Sequence, residues 1–273
     1  MKRKVISLSY FFNENSDINK EIFTDWVSIE KFIDNYNYCF HLYSLNSFLI
    51  NLYIYRHLYY ALNLESFSRN KIILDLGCAD GPFLPTLNFY GKRVIGLDIS
   101  LNWLQRAREL INYKKYPLNK VILLNAEGHY LPFKDNSIDL VYCLETLEHI
   151  PNSMDLINEI YRILKDKGTL IYSLPIEIGF SLFIRQLIGK ITKFPREHYS
   201  LRELIKNGLL KKPSKRINNP ITHRNFDWRI LHGIIIKRFK QVDIKFSPFP
   251  FLKGLNPTVI VKVKKIINQN FTV

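Results

Sequence analysis

The middle of the chain, residues 71–175, alternates short apolar runs with stretches of helical periodicity, and this alternation restricts the fold more than any other feature. Five runs have the length and composition of buried parallel strands: Ile72–Leu76, Val94–Leu97, Val121–Leu124, Ile138–Leu144 and Thr169–Leu174. Between them, apolar residues recur at helical spacing from Leu101 to Ile111, after a candidate N-cap at Ser100, and from Leu156 to Leu164. Because parallel strands need crossover helices, the series predicts a doubly wound α/β fold with a mostly parallel sheet.

The segments on either side of this core divide the chain further. Its 273 residues suit one large α/β domain with additions better than two separate cores. We expect a helical N-terminal cap over residues 1–69, the core over 70–175, an insertion after the fifth strand over 176–224, and the closing elements over 225–273. Those elements are a helix and the last two strands of a seven-stranded sheet, predicted at Phe226–Phe239, Val242–Phe246 and Thr258–Val263. The cap and the insertion are expected to cover the carboxyl edge of the sheet, where open α/β sheets bind ligands.

The charge is distributed unevenly. The formal net charge is +15, and residues 176–273 hold twenty Lys and Arg against five Asp and Glu, whereas the preceding residues are balanced. The cations cluster at Lys211, Lys212, Lys215 and Arg216, and again at Lys262, Lys264 and Lys265. A solvated basic surface, a site for RNA phosphates and an anionic membrane surface are all compatible with this pattern.

The insertion combines these cations with an apolar stretch, Ile176–Ile191, followed by a capping box, Ser200 with Glu203, that predicts the start of a short helix. The stretch is interrupted by Arg185 and Lys190, so it can lie on an anionic bilayer or pack on the domain as a cap helix. No membrane-spanning helix is predicted, because the longest uncharged run, Asn35–Tyr55, contains too many polar residues.

The three cysteines, Cys39, Cys78 and Cys143, lie far apart and without the spacing of metal ligands. This usage is typical of a reducing compartment, so we expect a cytoplasmic protein, with or without peripheral membrane attachment, and no metal site. The N-terminus has no apolar core of a secretory signal, since Asn13, Glu14 and Asp17 follow soon after it.

The run from Lys71 to Gly81 predicts a strand that ends in a glycine turn before a helix. A dinucleotide fingerprint requires G-x-G-x-x-G, whereas this run reads Gly77-x-Ala79-x-Gly81. Asp80 places a negative charge where a pyrophosphate would lie. The turn therefore favours a cationic ligand, such as the ammonium or sulfonium of S-adenosylmethionine.

With Asp75 at its head, this run resembles the first motif of the class I S-adenosylmethionine-dependent methyltransferases, D-x-G-x-[GA]-x-G. Further segments are similar to later motifs of the family: Asn125-Ala126-Glu127, Leu131-Pro132-Phe133, Leu147-Glu148-His149-Ile150, and Arg162-Ile163-Leu164-Lys165 with Gly168. The resemblance implies S-adenosyl-L-methionine as cofactor, bound by Asp75, Gly77, Ala79, Gly81, Asp98, Ile99, Asn125 and Ala126. Asp98 would accept hydrogen bonds from the ribose hydroxyls, and Asn125 would contact adenine.

Two residues depart from the family pattern. Ala79 stands where the family has a middle glycine, and we expect its methyl group to be accommodated by a backbone at negative φ. Asn125 stands where an acid is usual, and its carbonyl oxygen can still accept a hydrogen bond from the exocyclic amine of adenine.

The acceptor side is predicted from residues that follow the fourth strand. Glu145, Glu148 and His149 lie where the resemblance places the reacting methyl group, and any of them can take the proton of a hydroxyl acceptor. His149 can equally serve only to orient the loop. His198 and His223, in or beside the insertion, are not expected to touch the acceptor. The buried cysteines have no Pro-Cys context, so covalent catalysis is not predicted.

The sequence therefore predicts a methyltransferase that acts on a small-molecule or lipid-linked acceptor. An RNA methyltransferase that uses the basic C-terminal region is the main alternative, although Cys143-Leu144-Glu145-Thr146 stands where an Asn-Pro-Pro-Tyr type motif would be expected. A protein that binds S-adenosylmethionine without transferring its methyl group is a third possibility.

Overall fold

The computed structural model of the protein describes residues 48–66, 70–112, 119–192, 199–213 and 223–266. Most of the predicted N-terminal cap, His198, and the cations Lys215 and Arg216 lie outside the described residues. None of the described helices is both long and apolar enough to span a bilayer.

A seven-stranded sheet forms the centre of the fold, as predicted. Its strands in chain order are β1 Ile72–Leu76, β2 Arg93–Asp98, β3 Val121–Asn125, β4 Ile138–Cys143, β5 Leu164–Pro175, β6 Phe239–Ser247 and β7 Thr258–Lys265. Their order across the sheet is β3-β2-β1-β4-β5-β7-β6. The first five strands are parallel, and β7 runs antiparallel to both β5 and β6.

Helices cover both faces of this sheet. They are α1 Phe48–Asn63, α2 Leu84–Tyr90, α3 Leu101–Asn112, α4 Ser153–Ile163, α5 Ser181–Thr192, α6 Leu201–Glu203, which continues as a π-helical turn over Leu204–Leu209, and α7 Trp228–Ile235. Apolar residues of α1, α2 and α3 share one buried cluster, and those of α4 and α7 share another with the opposite side of the strands. The predicted doubly wound α/β architecture is thereby confirmed. Two 3₁₀ turns, Leu147–His149 and Pro250–Leu255, complete the elements.

Several boundaries differ from the predicted ones. The helix predicted to include Leu164 ends one residue earlier, because Ser137 N–H donates to the carbonyl of Ile163 at 2.8 Å and Leu164 already pairs with β4. The helix predicted over Phe226–Phe239 is shorter, because the Asp227 side chain caps it by accepting from Arg229 N–H at 3.0 Å. The capping box of Ser200 and Glu203 and the N-cap at Ser100 are present as predicted.

The described part of the predicted N-terminal cap, α1, lies against a face of the sheet and not over its edge. Leu58, Ala61 and Leu62 are buried in the same cluster as Ile73 of β1 and Ile260 of β7. Only the N-terminal end of the helix approaches the carboxyl edge of β5, where the Tyr53 hydroxyl lies 2.6 Å from Thr258 Oγ1. The helix is therefore part of the folded core.

A buried ion pair fastens the end of α1 to the sheet. The Glu65 carboxylate lies 3.2 Å from Lys262 Nζ and 3.1 Å from Lys71 Nζ, and Lys262 Nζ also donates to the Leu64 carbonyl at 2.9 Å. Burial alone would raise the pKa of Glu65, but Lys71, a hydrogen bond with Thr169 and Lys262 together lower it to about 2. The ionised carboxylate is therefore strongly favoured in the folded protein.

We expect Glu65→Gln to lower the free energy of unfolding by about 3 kcal/mol at pH 7, because it leaves the buried Lys262 without its counter-charge. The folded-state pKa of Glu65 is lower than that of the unfolded chain, so this stabilisation is complete above about pH 5 and declines as the pH falls towards 2. Urea unfolding of both proteins at pH 7 and pH 3 measures the effect. A difference in stability that stays equal at the two pH values would contradict it.

Candidate active site

The glycine turn after β1 folds over the end of β2. The amides of Gly77 and Cys78 both donate to the Leu97 carbonyl, at 2.8 and 3.0 Å, and Gly81 N–H donates to the Cys78 carbonyl at 2.9 Å. Gly77 has φ +76° and Gly81 has φ +80°, values that glycine adopts readily. Ala79 has φ +49°, so the prediction of a negative φ there is wrong. This conformation accompanies a hydrogen bond from Ala79 N–H to Asp98.

Asp98, the last residue of β2, joins this turn to the start of α3. One oxygen of its carboxylate accepts Ala79 N–H at 2.9 Å, and the other accepts Ser100 N–H at 2.8 Å. Its side chain is therefore fixed in position beside the turn. The predicted contact with ribose hydroxyls stays a prediction.

The end of β3 is held against the same loop. Asn125 Nδ2 donates to the carbonyls of Asp98 and Ile99, at 3.0 and 2.8 Å, and Ala126 N–H donates to the Asp98 carbonyl at 3.3 Å. The Ile99 side chain is 69% exposed, which is unusual for an isoleucine beside a sheet edge. The predicted adenine contact requires Oδ1 of Asn125, the atom that these bonds do not use.

Three carboxylates make the turn strongly negative. Burial raises the pKa of Asp75 to about 7, and the nearby charge of Asp98 adds to the effect. Burial likewise raises the pKa of the Cys78 thiol, and Asp75, Asp98 and Asp80 contribute to this shift. A cationic group placed here would relieve the repulsion between the acids.

The residues after β4 form a second group at the same edge of the sheet. Glu145 has φ +50°, a left-handed conformation that is rare for a residue with a side chain and often marks a functional site. Its N–H donates to Ser173 Oγ at 2.8 Å, and this hydroxyl donates back to Glu145 Oε1 at 2.9 Å. Burial raises the pKa of Glu145 to about 7 against the opposing effects of Arg185 and Ser173, and Glu177 raises it further.

Two histidines meet a buried glutamate beside Glu145. The carboxylate of Glu148 is inaccessible to solvent, and its Oε1 lies 3.8 Å from Nε2 of both His149 and His223. The two Nε2 atoms are 3.0 Å apart and share a hydrogen bond. His223 comes from the far end of the insertion and lies beside two of the predicted acceptor-side residues, and whether it touches an acceptor is not tested by this contact.

The first turn of the insertion adds a buried ion pair to this group. Arg185 on α5 lies 2.8 Å from Glu177, which in turn accepts the Tyr199 hydroxyl at 3.2 Å. Glu177 Oε1 is also 4.0 Å from Nδ1 of His223. The insertion therefore packs its charged residues inward, towards the end of β5.

Comparison with known proteins now identifies the family. Residues 74–172 match the methyltransferase-domain family. The uncharacterized protein MJ0638 of Methanocaldococcus jannaschii is 41% identical over 196 residues, which are 71% of this chain and 80% of that protein. The chain belongs to the class I S-adenosylmethionine-dependent methyltransferases. A member from Aquifex aeolicus has the same fold, with a TM-score of 0.54 and 14% identity over 82% of this chain and 97% of that one.

Other methyltransferases are similar over shorter stretches. Sterol 24-C-methyltransferase of Pneumocystis carinii is 31% identical over 116 residues, 42% of this chain and 30% of that enzyme. Demethylmenaquinone methyltransferase of Oceanobacillus iheyensis is 31% identical over 158 residues, 53% of this chain and 66% of that enzyme. This methyltransferase thus spans less than a third of the first enzyme and about two thirds of the second.

The residues predicted to bind the cofactor are here called the cofactor half of the site. Their arrangement fits the binding of S-adenosylmethionine that the family implies. The structure brings all the predicted cofactor residues to the ends of β1, β2 and β3: Asp75, Gly77, Ala79, Gly81, Asp98, Ile99, Asn125 and Ala126. The three acids supply the negative field that the ammonium and sulfonium of S-adenosylmethionine need, and Asp98 holds two acceptor oxygens in place. The family implies use of S-adenosylmethionine, and the residues present are suited to it.

The residues after β4, together with those of the insertion that contact them, are here called the acceptor half of the site. This half is only partly predictable from the sequence. Glu145, Glu148 and His149 do lie together after β4, whereas Glu177, Arg185 and His223 were missed. One signal pointed to Arg185, a charge inside the apolar stretch Ile176–Ile191. Nothing in the local sequence of His223 marks it, because it meets His149 across 74 residues of chain.

Proposed function

We propose that this methyltransferase acts on a lipid-linked acceptor and reaches it by binding an anionic membrane surface through the insertion. The observation that carries the proposal is a group of exposed apolar side chains on the insertion, interleaved with cations. We call this group the apolar–basic surface. Its apolar members are Phe180, Leu187, Leu201, Ile205, Leu209 and Leu210, and its cations are Arg202, Lys206, Lys211 and Lys212.

These apolar side chains are more exposed than is usual on the surface of a soluble protein. Leu201 is 74% exposed and both Leu209 and Leu210 are more than 60% exposed. Apolar side chains flanked by cations are typical of segments that lie in the interface of an anionic bilayer, where burial of the apolar groups adds to attraction between opposite charges. RNA binding would explain the cations but would leave the apolar side chains without a role.

One helix, α5, connects the apolar–basic surface to the predicted acceptor residues. α5 contributes Leu187 to the surface and the buried Arg185 to the site. An acceptor that enters from the bilayer would thus pass along the insertion to Glu145. The names of two similar enzymes, a sterol and a demethylmenaquinone methyltransferase, are consistent with an acceptor of this apolar class.

The site residues divide the chemistry between them. S-adenosylmethionine, when bound, supplies an already activated methyl group for in-line displacement. The turn after β1 and Asp98 position this donor, and the insertion excludes water from the acceptor. With a pKa of about 7, Glu145 is suited to accept the proton of a hydroxyl acceptor near neutral pH.

An acceptor screen tests the proposed function directly. The protein is incubated with radiolabelled methyl donor and separate fractions of total lipid, small metabolites and RNA. We expect the label in the lipid fraction. Label confined to RNA would support the alternative of an RNA methyltransferase, and label confined to small metabolites would contradict the lipid-linked acceptor.

Membrane binding is tested with two pairs of substitutions in the apolar–basic surface. We expect Leu209→Ser with Leu210→Ser to weaken co-sedimentation with anionic vesicles about tenfold or more, because each leucine loses about 1 kcal/mol or more of transfer free energy. Lys211→Ser with Lys212→Ser should reduce the dependence of binding on salt. Ile122→Ser, at an exposed position on edge strand β3, is the matched control and should bind as wild type does. Equal sedimentation of all variants would contradict the proposal.

The affinity for S-adenosylmethionine should rise with pH. A cationic ligand favours the ionised form of Asp75, whose pKa in the free protein is about 7, so binding releases a proton. Between pH 6 and 8 we expect the dissociation constant to fall by up to about tenfold. Calorimetry in buffers of different ionisation enthalpy measures the released proton. Asp75→Asn should abolish the pH dependence, and its persistence in that variant would show that another group titrates.

A further inference from the structure

The cluster formed by Glu148, His149 and His223 has the residue types and the spacing of a metal site. Their ligand atoms all lie within 4.8 Å of one another. The glutamate carboxylate is buried, whereas the imidazole rings are partly exposed, with 39% of the His149 side chain and 22% of the His223 side chain accessible. The cluster is therefore closed on the side of the core and open to solvent on the side of the imidazole rings.

The distance between the histidines suits two ligands of one ion. With each nitrogen about 2.0–2.1 Å from a metal ion, two nitrogens at octahedral or tetrahedral angles stand about 2.9–3.4 Å apart. The two Nε2 atoms are 3.0 Å apart in the structure. Glu148 Oε1 is equidistant from them at 3.8 Å, which is too far for a hydrogen bond, and it would move about 0.4 to 0.9 Å closer to join them as a ligand.

The surrounding charges also favour a cation. Three carboxylates, those of Glu145, Glu148 and Glu177, share this end of the sheet with the guanidinium of Arg185. Glu177 faces the second ring nitrogen of His223, at 4.0 Å. At this distance the carboxylate of Glu177 does not hydrogen-bond the ring, but its negative charge favours a cation nearby.

We propose that Glu148, His149 and His223 bind a divalent first-row metal ion, such as Mn²⁺ or Zn²⁺, that holds a hydroxyl acceptor for methylation. Three protein ligands leave at least one position for a water molecule or a substrate oxygen. Imidazole nitrogens with a single carboxylate suit such ions better than Mg²⁺, which prefers oxygen ligands. This site departs from the sequence-based expectation that the protein binds no metal.

A metal ion at this site would favour an acceptor with a hydroxyl group. This part of the inference rests on the proposed function. A hydroxyl oxygen bound to the ion loses its proton more readily, and the proton passes to Glu145. The bond between that oxygen and the methyl carbon forms as the sulfur–methyl bond of the donor breaks, with the electron pair left on sulfur. A lipid-linked acceptor would therefore be methylated on oxygen.

Metal binding can be tested without any acceptor. The full chain is treated with a chelator and titrated with Mn²⁺, Zn²⁺ and Mg²⁺ by calorimetry. We expect one Mn²⁺ or Zn²⁺ ion per chain, with weaker binding of Mg²⁺. His223→Ala and His149→Ala should each weaken binding about 100-fold or more, since even residues behind the ligands change affinity by about 10–100-fold.

His129→Ala is the matched control. His129 also lies beside a carboxylate, 2.8 Å from Glu127, but outside this cluster, so its loss should leave ion binding unchanged. Calorimetry with S-adenosylmethionine on every variant shows whether the cofactor half is intact. Wild-type protein that binds neither Mn²⁺ nor Zn²⁺, or that binds them equally well without His149 and His223, would overturn the metal site. Failure to methylate lipid would not affect these titrations, so the two proposals fail separately.

Discussion

Gly77→Val is expected to abolish measurable binding of S-adenosylmethionine, a loss of about 100-fold or more in affinity. Two effects combine at this position. The backbone has φ +76°, which is unfavourable for a β-branched residue. A β-carbon at Gly77 would also overlap the Thr146 side chain, with Thr146 Cγ2 at 2.5 Å. The turn would have to move away from the position that Asp98 fixes.

The overlap with Thr146 changes the physical reason for the expected loss. A valine side chain would meet Thr146 in addition to any ligand that lies against the turn. Thermal unfolding must therefore be measured beside calorimetry. Gly77→Ala combined with Thr146→Gly removes the overlap but also the hydrogen bonds from the Thr146 hydroxyl to the Leu76 and Leu144 carbonyls, so it should recover only part of the affinity. Gly233→Ala is the matched control, because no atom lies within 4 Å of its new β-carbon. Normal binding by folded Gly77→Val would show that the cofactor lies elsewhere.

Asp98→Ala is expected to weaken cofactor binding by about 10–100-fold, which corresponds to the loss of about 1 to 3 kcal/mol of hydrogen bonding. The substitution removes the predicted ribose contacts and the acceptors for Ala79 N–H and Ser100 N–H. Calorimetry with S-adenosylmethionine measures the total effect. Asp243→Ala, which removes a half-buried acid from β6, controls for the change in net charge.

A modified ligand separates these two roles of Asp98. The demethylated cofactor is compared with its 2′,3′-dideoxy analogue on both proteins. If Asp98 contacts the ribose, wild type prefers the ligand with hydroxyls and Asp98→Ala binds both ligands equally. If the variant keeps the preference, Asp98 acts only by holding the turn.

The cofactor half of the site can be predicted from the sequence because its signals are local. Each strand end is marked by an apolar run that stops at a polar or glycine residue, and adjacent parallel strands bring those ends together. The run from Asp75 to Gly81 and the acid at Asp98 are therefore sufficient to predict that these residues meet at one edge of the sheet. The conformation of Ala79 is not predictable in this way, because its positive φ accompanies a bond to Asp98, 19 residues away.

The acceptor half cannot be assembled from the sequence. His223 joins His149 only after the insertion has folded back over the end of β5, and no periodicity or spacing reports such a return. Arg185 is recognisable as an interruption of an apolar stretch, but its partner Glu177 is not, because an ion pair across eight residues depends on the turn that precedes α5. Contacts between side chains that are far apart along the chain produce no periodic pattern in a single sequence.

The two halves of the site also have different origins along the chain. All the residues predicted to bind the cofactor come from residues 72–126, whereas Glu177, Arg185 and His223, which join the predicted acceptor residues, come from a segment between two strands of the sheet. Such a segment can be exchanged as a unit. A chimera that carries residues 176–224 of a relative with another acceptor should inherit that relative's substrate range, while its affinity for the methyl donor stays that of the host. We therefore expect the insertion to determine which acceptor this methyltransferase uses.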